Sequence, residues 1–244
     1  MDHAPDLSAW LMDALAAVAG RPLCLGVVGL PGCGKSTWAR GLGALAADAG
    51  LAWLAVSLDD FYLEPAARRA RGFAHRGPPG THDLDRVARF LSQLGSQAAP
   101  ATLDGDGGQT IAVPVFDRDA EQRLPDRVVR FPASAPLRLC IIEGWFVGAP
   151  AAGYEGLAAA LDRLIYLDMA EADARAARLE REAALRASGR PAMSAAGVET
   201  FWAEALRPWF AGCVYPLRER ADVVITLDRR HTATALTIRR PLRA

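Results

Sequence analysis

Two residue types are scarce or missing in this chain. It contains no asparagine, and Lys35 is its one lysine, whereas the other 27 of its 28 basic residues are arginine. Because all the remaining basic positions hold arginine, the lysine at position 35 indicates that arginine does not serve there. The absence of asparagine excludes the Asn-Lys-x-Asp motif with which GTP-dependent switch proteins recognise guanine.

Net charge, paired cysteines and long apolar runs are also lacking. The 28 basic and 28 acidic residues balance, so no overall field attracts nucleic acid or an anionic membrane. The four cysteines form no CxxC pair. No apolar run approaches the roughly 20 residues of a membrane span, and the N-terminus lacks the basic region of a secretory signal. We expect a cytoplasmic protein that acts on a small molecule, as a monomer or weak homodimer, without nucleic-acid or membrane partners.

Apolar runs alternate with helical patterns along the chain. Continuous apolar runs are typical of parallel strands that are buried on both faces. They predict strands at Leu23–Gly29, 51–58, Leu137–Glu143, 161–168 and Val223–Leu227, with a possible edge strand at 232–239. Helical spacing predicts helices at 7–18, Lys35–Asp48, 83–94, 170–187 and 195–212. The alternation predicts one α/β domain over residues 1–244, built on a doubly wound and mainly parallel sheet with right-handed crossovers.

The remaining segments are less regular. Residues 64–82 are rich in arginine, proline and glycine, which predicts an exposed functional loop. Residues 95–109 are small and polar and are expected to form a mobile loop. Short strand-like pieces at 111–116 and 128–131 flank a connection rich in arginine and aspartate.

Residues 29–37 read Gly-Leu-Pro-Gly-Cys-Gly-Lys-Ser-Thr between a predicted strand and a predicted helix. This is the P-loop pattern, in which backbone N–H groups and a helix N-terminus bind phosphates. Lys35 is expected to reach the β- and γ-phosphates, where a guanidinium is too large, and Ser36 to hold Mg²⁺. The alternative is a glycine turn with an incidental lysine. The predicted nucleotide-binding residues are Gly29, Pro31, Gly32, Cys33, Gly34, Lys35, Ser36 and Thr37, with Cys33 interpreted as a filler rather than a redox switch.

Three acidic residues end two of the predicted strands. Asp59 and Asp60 follow the second strand, at the edge where open α/β sheets bind their ligands. A phosphoryl acceptor needs a carboxylate to take its hydroxyl proton, although a turn-forming or helix-capping pair is the alternative. Glu143 ends the run Leu-Arg-Leu-Cys-Ile-Ile, at the place from which an acid binds Mg²⁺ directly or through water.

Further candidates for the acceptor site follow these acids. Tyr62 could line the acceptor pocket or pack beneath the loop. His82 and Asp83 could contact the acceptor, but Asp83 could equally cap the following helix. Arginine side chains can make forked contacts with a small anion. The substrate-binding candidates are Asp60, Tyr62, Arg76, His82, Asp83, Arg118 and Arg127.

Three arginines recur at i, i+3 and i+6 on the predicted helix 170–187: Arg175, Arg178 and Arg181. Glutamates are interspersed with them, so a surface ladder of ion pairs is one interpretation. The other is a lid, over about 170–195, that brings basic groups onto the transferring phosphate and excludes water. On that interpretation Arg178 is the catalytic candidate.

From Ser57-Leu-Asp-Asp-Phe-Tyr62 onward, the sequence resembles the uridine kinase, phosphoribulokinase and pantothenate kinase group. Within that comparison it resembles D-glycerate 3-kinases of the plant and fungal P-loop type more closely. The similarity covers about residues 23–228 and includes Pro-Pro-Gly-Thr-His-Asp at 78–83, Pro-Val-Phe-Asp-Arg at 114–118 and Glu-Gly-Trp-Phe at 143–146. The resemblance implies a five-stranded parallel sheet, a magnesium-ATP donor, Asp59 as the base and 3-phosphoglycerate as the product.

Three functional hypotheses remain open at this point. The first is a small-molecule kinase, with D-glycerate, or else uridine, pantothenate or a sugar phosphate, as acceptor. The second is a P-loop nucleotide hydrolase that works as a switch, and the third is a nucleotide-binding module without catalysis. The third leaves Asp59 without a role.

Overall fold

The computed structural model describes residues 4–95 and 107–239. A six-stranded sheet has the order β2-β5-β1-β6-β7-β8, and five of these strands run parallel. The sixth, β8, pairs antiparallel with β7 at the edge. The strands are β1 Leu23–Gly29, β2 Ala52–Ser57, β5 Leu137–Glu143, β6 Arg163–Asp168, β7 Val223–Leu227 and β8 Ala233–Ile238. The predicted α/β class and the mainly parallel sheet are confirmed.

Helices lie between the strands. They are α1 Ala4–Ala16, α2 Lys35–Asp48, α3 Pro65–Ala70, α4 Leu84–Gly95, α5 Glu155–Ala160, α6 Glu171–Ala187, α7 Ala195–Phe201, α8 Arg207–Trp209 and α9 Leu217–Arg220. The single helix expected at 195–212 is interrupted by π-helical turns at Trp202–Leu206 and Phe210–Val214. Pro208 lies between these turns, and proline has no N–H with which to continue an α-helical ladder.

A separate antiparallel hairpin is formed by β3 Gln109–Asp117 and β4 Gln122–Phe131. Both strands are longer than the short pieces expected from the sequence. Their register shifts between Val113 and Val115, where Pro114 cannot donate a ladder hydrogen bond. Most of the predicted loop 95–109 lies outside the described residues.

The central strand places the functional loop at the carboxyl edge of the sheet. Every residue of β1 is buried, because helices cover both of its faces. In the register of the sheet, Glu143 at the end of β5 pairs with Val27 of β1 and with Ser57 of β2. The end of β5 is therefore brought beside the P-loop and beside Asp59.

The segment 64–82 is exposed over most of residues 64–76, as predicted, but its end differs from the prediction. It contains α3, and Thr81 and His82 are completely buried. Backbone hydrogen bonds from Leu63 N to the Thr81 carbonyl and from Asp83 N to the Phe61 carbonyl tie its end to the core. Because these bonds satisfy polar backbone groups at the end of the segment, Thr81 and His82 can be buried. Within the described residues, no helix is long and apolar enough to cross a membrane.

Candidate active site

The P-loop connects β1 to α2 through two glycines in left-handed conformations. Gly34 precedes the first turn of α2 with a φ of 87°, and Gly32 has a φ of 97°. A Cβ atom added to Gly32 would lie 2.2 Å from the carbonyl oxygen of Ala174 in α6. Only glycine therefore permits both the bend of the loop and the close approach of α6.

Lys35 and Ser36 begin α2 and point to different partners. The Lys35 ammonium donates to the carbonyl oxygens of Gly29 and Leu30, at 3.1 and 3.0 Å. The Ser36 hydroxyl donates to Oε1 of Glu143 at 2.7 Å. The Ser36 hydroxyl and the Glu143 carboxylate thus form an oxygen pair of the kind that Mg²⁺ prefers.

Cys33 faces away from the ligand side of the loop. Its side chain is completely buried, and burial raises the pKa of its thiol. A buried thiol with a raised pKa is a poor nucleophile, which favours the filler interpretation over a redox switch.

Asp59 lies in the 3₁₀ turn Leu58–Phe61 that follows β2. Its Oδ1 accepts a 2.8 Å hydrogen bond from the Tyr62 hydroxyl, and its Oδ2 lies 3.8 Å from Nη1 of Arg118. Desolvation raises the pKa of Asp59, but Arg118 and the Tyr62 hydroxyl outweigh it and leave the pKa below its ordinary value. Asp59 is therefore ionised at neutral pH and able to accept a proton.

Asp60 faces a neighbouring groove rather than the cleft that contains Asp59. This groove is also lined by Arg127, Arg118, Ser36 and Glu143. Desolvation raises the pKa of Asp60 to about 6, against the opposing effect of Arg118. Asp60 and Arg127, both predicted to contact the acceptor, lie beside the main cleft and do not line it.

His82 is placed behind the site. Its ring stacks on Tyr62 at a centroid distance of 4.5 Å, and its Nδ1 lies 2.8 Å from the Tyr154 hydroxyl. Burial lowers the pKa of His82 to about 4, so the ring is neutral at physiological pH. The predicted contact with the acceptor is corrected, because the buried His82 supports the Tyr62 ring from behind.

Asp83 also lies outside the cleft. It accepts a hydrogen bond from the backbone N of Arg86 at 3.0 Å and pairs with Arg123 at 2.7 Å. These contacts match the alternative in which Asp83 caps the following helix, α4. Its predicted role in binding the acceptor is therefore corrected.

One arginine of α6 fits the interpretation as a surface ladder of ion pairs, and two fit the interpretation as a lid over the cleft. Arg175 pairs with Glu199 at the surface, whereas Arg178 and Arg181 line the cleft. Glu182, which is 5% exposed, accepts from Arg178 Nε at 2.9 Å and from the backbone N of Met193 at 3.0 Å. This double contact fixes Arg178 over the cleft and ties α6 to the segment that follows it.

The cleft has a volume of about 430 Å³. It brings together the P-loop, the Asp59–Tyr62 pair, Glu143 and the arginines of α6. Among the predicted residues, those lining it are Pro31, Gly32, Gly34, Lys35, Ser36, Thr37, Asp59, Tyr62, Arg76, Arg118, Glu143 and Arg178.

Other cleft residues were missed by sequence reasoning. Arg68, His75 and Glu121 line the cleft, as does His231 from the turn between β7 and β8. The Nε2 of His231 lies 2.7 Å from the Gly32 carbonyl. A signal for His231 was available, because it follows the carboxyl end of a parallel strand, the edge where ligands bind.

A second cavity, of about 560 Å³, adjoins the cleft. Its lining is mainly apolar, with Leu7 of α1, Trp38 and Leu45 of α2, and Leu236 of β8 among its side chains. The two cavities share three residues, namely Gly34, Thr37 and His231. The apolar cavity therefore opens beside the point where the P-loop passes into α2.

No protein-family model matches the chain. The pantothenate kinase of Sorangium cellulosum is 31% identical to it over 248 residues, covering 91% of this chain and 74% of that protein. The chain belongs to the P-loop kinase family that includes this enzyme. The pantothenate kinase of Rhodococcus opacus is 28% identical over 246 residues, covering 90% and 72% of the two chains.

A solved structure shares the fold of this kinase. The D-glycerate 3-kinase from Cryptococcus neoformans var. grubii superimposes with a TM-score of 0.74, at 18% identity, over 96% of this chain and 98% of that one. The predicted membership of the P-loop kinase group is confirmed. The protein is therefore a P-loop phosphotransferase.

Proposed function

We propose that this P-loop kinase transfers the γ-phosphoryl group of ATP to a hydroxyl of a small hydroxy acid, with D-glycerate as acceptor and 3-phosphoglycerate as product. The observation that carries the proposal is the position of the Asp59–Tyr62 pair in the same cleft as Lys35 and Ser36. A carboxylate across the cleft from a phosphate-binding loop is the arrangement that a transfer to an alcohol needs.

Each part of the cleft has a role in this reaction. The P-loop amides and Lys35 bind the triphosphate, and Asp59 takes the proton of the acceptor hydroxyl. The Tyr62 hydroxyl and Arg118 hold Asp59 in its ionised form. Arg178, fixed by Glu182, neutralises charge on the transferring group.

The oxygen pair of Ser36 and Glu143 fits a magnesium ion. Both are hard oxygen donors, and they already lie 2.7 Å apart at the end of the P-loop. When bound, Mg²⁺ would neutralise phosphate charge. Mg²⁺ keeps several water and phosphate ligands, so two protein oxygens suffice.

The apolar cavity beside the P-loop is the site that we assign to the adenine base. It adjoins Thr37 and His231, and its lining is mainly apolar, as expected for a site that buries a flat aromatic ring. The absence of asparagine removes the Asn-Lys-x-Asp motif as a means of binding guanine instead.

Pantothenate is the second candidate acceptor, because relatives that this chain covers over 72% and 74% of their length bear the name pantothenate kinase. Pantothenate and D-glycerate each carry a hydroxyl and a carboxylate. The blocks Pro-Gly-Thr-His-Asp at 79–83 and Glu-Gly-Trp at 143–145 favour glycerate by resemblance.

The test is a product assay with ATP, Mg²⁺ and a panel of D-glycerate, pantothenate, uridine and ribulose 5-phosphate. We expect ADP and phosphoglycerate in equal amounts, identified by mass. ADP released without any phosphorylated acceptor would favour the hydrolase hypothesis instead.

Asp59→Asn is expected to lower kcat by about 10²-fold or more, because the amide cannot accept the hydroxyl proton. Asp60→Asn is the matched control, since Asp60 faces the neighbouring groove. Equal loss in the two variants, or none in Asp59→Asn, would remove Asp59 from the role of base.

A further inference from the structure

Two arginines and one glutamate form a cluster at the cleft, which we call the arginine cluster: Arg68, Arg76 and Glu121. Arg68 belongs to α3, Arg76 to the segment after it, and Glu121 to the turn between β3 and β4. All three line the cleft that contains Asp59. The proposed reaction gives none of them a role.

The charges of the arginine cluster do not balance. Glu121 accepts from Arg68 Nη2 at 3.2 Å and from Arg76 Nη1 at 2.6 Å. Within the described residues, no other carboxylate forms an ion pair with either arginine. Two guanidinium groups therefore share one carboxylate, and the cluster carries one net positive charge.

Arg68 is the member whose environment is incomplete. It is 3% exposed, and its Nε and Nη1 atoms are buried without a hydrogen-bond partner among the described residues. The remaining nitrogen, Nη2, also reaches the Ala74 carbonyl at 3.4 Å. Burying unpaired N–H groups of a charged side chain is costly, so the site lacks an acceptor group that would satisfy them.

The arginine cluster lies close to the place proposed for the reacting hydroxyl. Arg76 is near enough to lower the pKa of Tyr62 electrostatically, against the larger raising effects of burial and Asp59. The Tyr62 hydroxyl in turn donates to Asp59. One small molecule in this cleft can therefore present a hydroxyl to Asp59 and an anionic group to the arginines.

We propose that Arg68 and Arg76, oriented by Glu121, bind the carboxylate of the acceptor and select a monocarboxylate over neutral or doubly charged acceptors. Guanidinium groups match the two oxygens of a carboxylate, and the single net charge matches a single negative charge. This inference rests on the proposed kinase function, to which it adds the residues that determine specificity.

The test measures acceptor binding directly, by calorimetry with a non-hydrolysable ATP analogue and Mg²⁺ present. The probes are D-glycerate and pantothenate, each compared with its primary amide. We expect the wild-type chain to bind one of these acids at least about 10²-fold more tightly than its amide. Arg68→Gln should remove that preference, and Arg76→Gln should weaken it.

Arg69→Gln is the matched control, because Arg69 neighbours Arg68 on α3 but is exposed. It should leave the preference for the acid unchanged. Since Arg68 is buried, thermal unfolding of each variant reports whether the fold is retained. Equal binding of acid and amide by the wild-type chain, or no binding of either, overturns the proposal.

Glu121→Gln gives a second test that leaves the buried arginine in place. It raises the net positive charge of the cluster to about two, which favours a doubly charged acid such as malate. The association constant for malate, divided by that for D-glycerate, should therefore rise by about 10-fold. An unchanged ratio contradicts the proposed charge selection. Because binding is measured without turnover, acid binding that depends on Arg68 in a chain without phosphoryl transfer would refute only the kinase function.

Discussion

The two sides of the cleft are constructed differently. The phosphate side consists of a backbone bend with Gly32 and Gly34 in left-handed conformations, completed by a single ammonium. The acceptor side consists of long side chains from distant segments, with Arg68 and Arg76 held by Glu121. A backbone bend binds the part of the substrates that is common to all P-loop kinases. Side-chain networks bind the part that differs among them, and they can change without altering the loop.

The phosphate side should tolerate substitution least. Lys35→Arg is expected to lower kcat by about 10³-fold, because the planar guanidinium is too large for the cradle in which the ammonium reaches two loop carbonyls. Initial rates at saturating ATP and acceptor measure this effect. Arg40→Lys, an exchange on the exposed face of α2, is the control and should retain full activity.

Arg178, which connects the two sides, should show the next largest effect. Arg178→Gln is expected to lower kcat by about 10²-fold with little change in the KM for the acceptor, because its charge acts on the transferring group. Arg175→Gln removes the same charge three residues earlier on α6, where the side chain pairs with Glu199 outside the cleft. If Arg178→Gln retains as much activity as Arg175→Gln, the surface-ladder interpretation of α6 is the correct one.

The smallest expected effect is on stability, and it comes from the titration of His82 on the acceptor side. Its folded-state pKa of about 4 lies below the unfolded value of 6.5, so the unfolded chain binds one more proton between these values. The stabilisation is present above pH 6.5 and is lost as the pH falls toward 4. We expect a loss of about 2 kcal/mol in unfolding free energy between pH 6.5 and pH 5.

Chemical denaturation at a series of pH values measures this slope. His82→Phe should reduce it, whatever the stability of that variant at neutral pH, because the ring no longer titrates. His75→Gln, a change at an exposed histidine, is the control for the loss of a histidine from this part of the chain. An identical slope in His82→Phe would assign the acid sensitivity to other groups.

Much of the phosphate side could be predicted from the sequence. The strand Leu23–Gly29 and the helix Lys35–Asp48 have the bounds that their patterns indicated, because apolar continuity and a glycine-rich turn are local signals. The interrupted helix near Pro208 and the burial of Thr81 and His82 were missed. Both depend on contacts with residues distant in sequence, which a local pattern does not contain.

The acceptor side could be predicted only in part. Asp59 and Tyr62 were found because they follow a strand end, where ligands of open sheets bind. Nothing local distinguishes the buried Arg68 from the exposed Arg69 beside it. Glu121 adopts a positive φ of 51° in a hairpin turn, a position at which the sequence shows none of the usual glycine or asparagine.

Because Lys35 is the one lysine of the chain, the phosphate loop can be labelled selectively by a chemical reagent. Amine-directed acylating reagents have no other side-chain target in this chain, so apart from the α-amino group any label must sit at the floor of the cleft. Protection from such labelling measures occupancy of the phosphate site without a turnover assay. Mass spectrometry of the labelled chain can then detect binding at the phosphate site even when the acceptor that the enzyme phosphorylates is unknown.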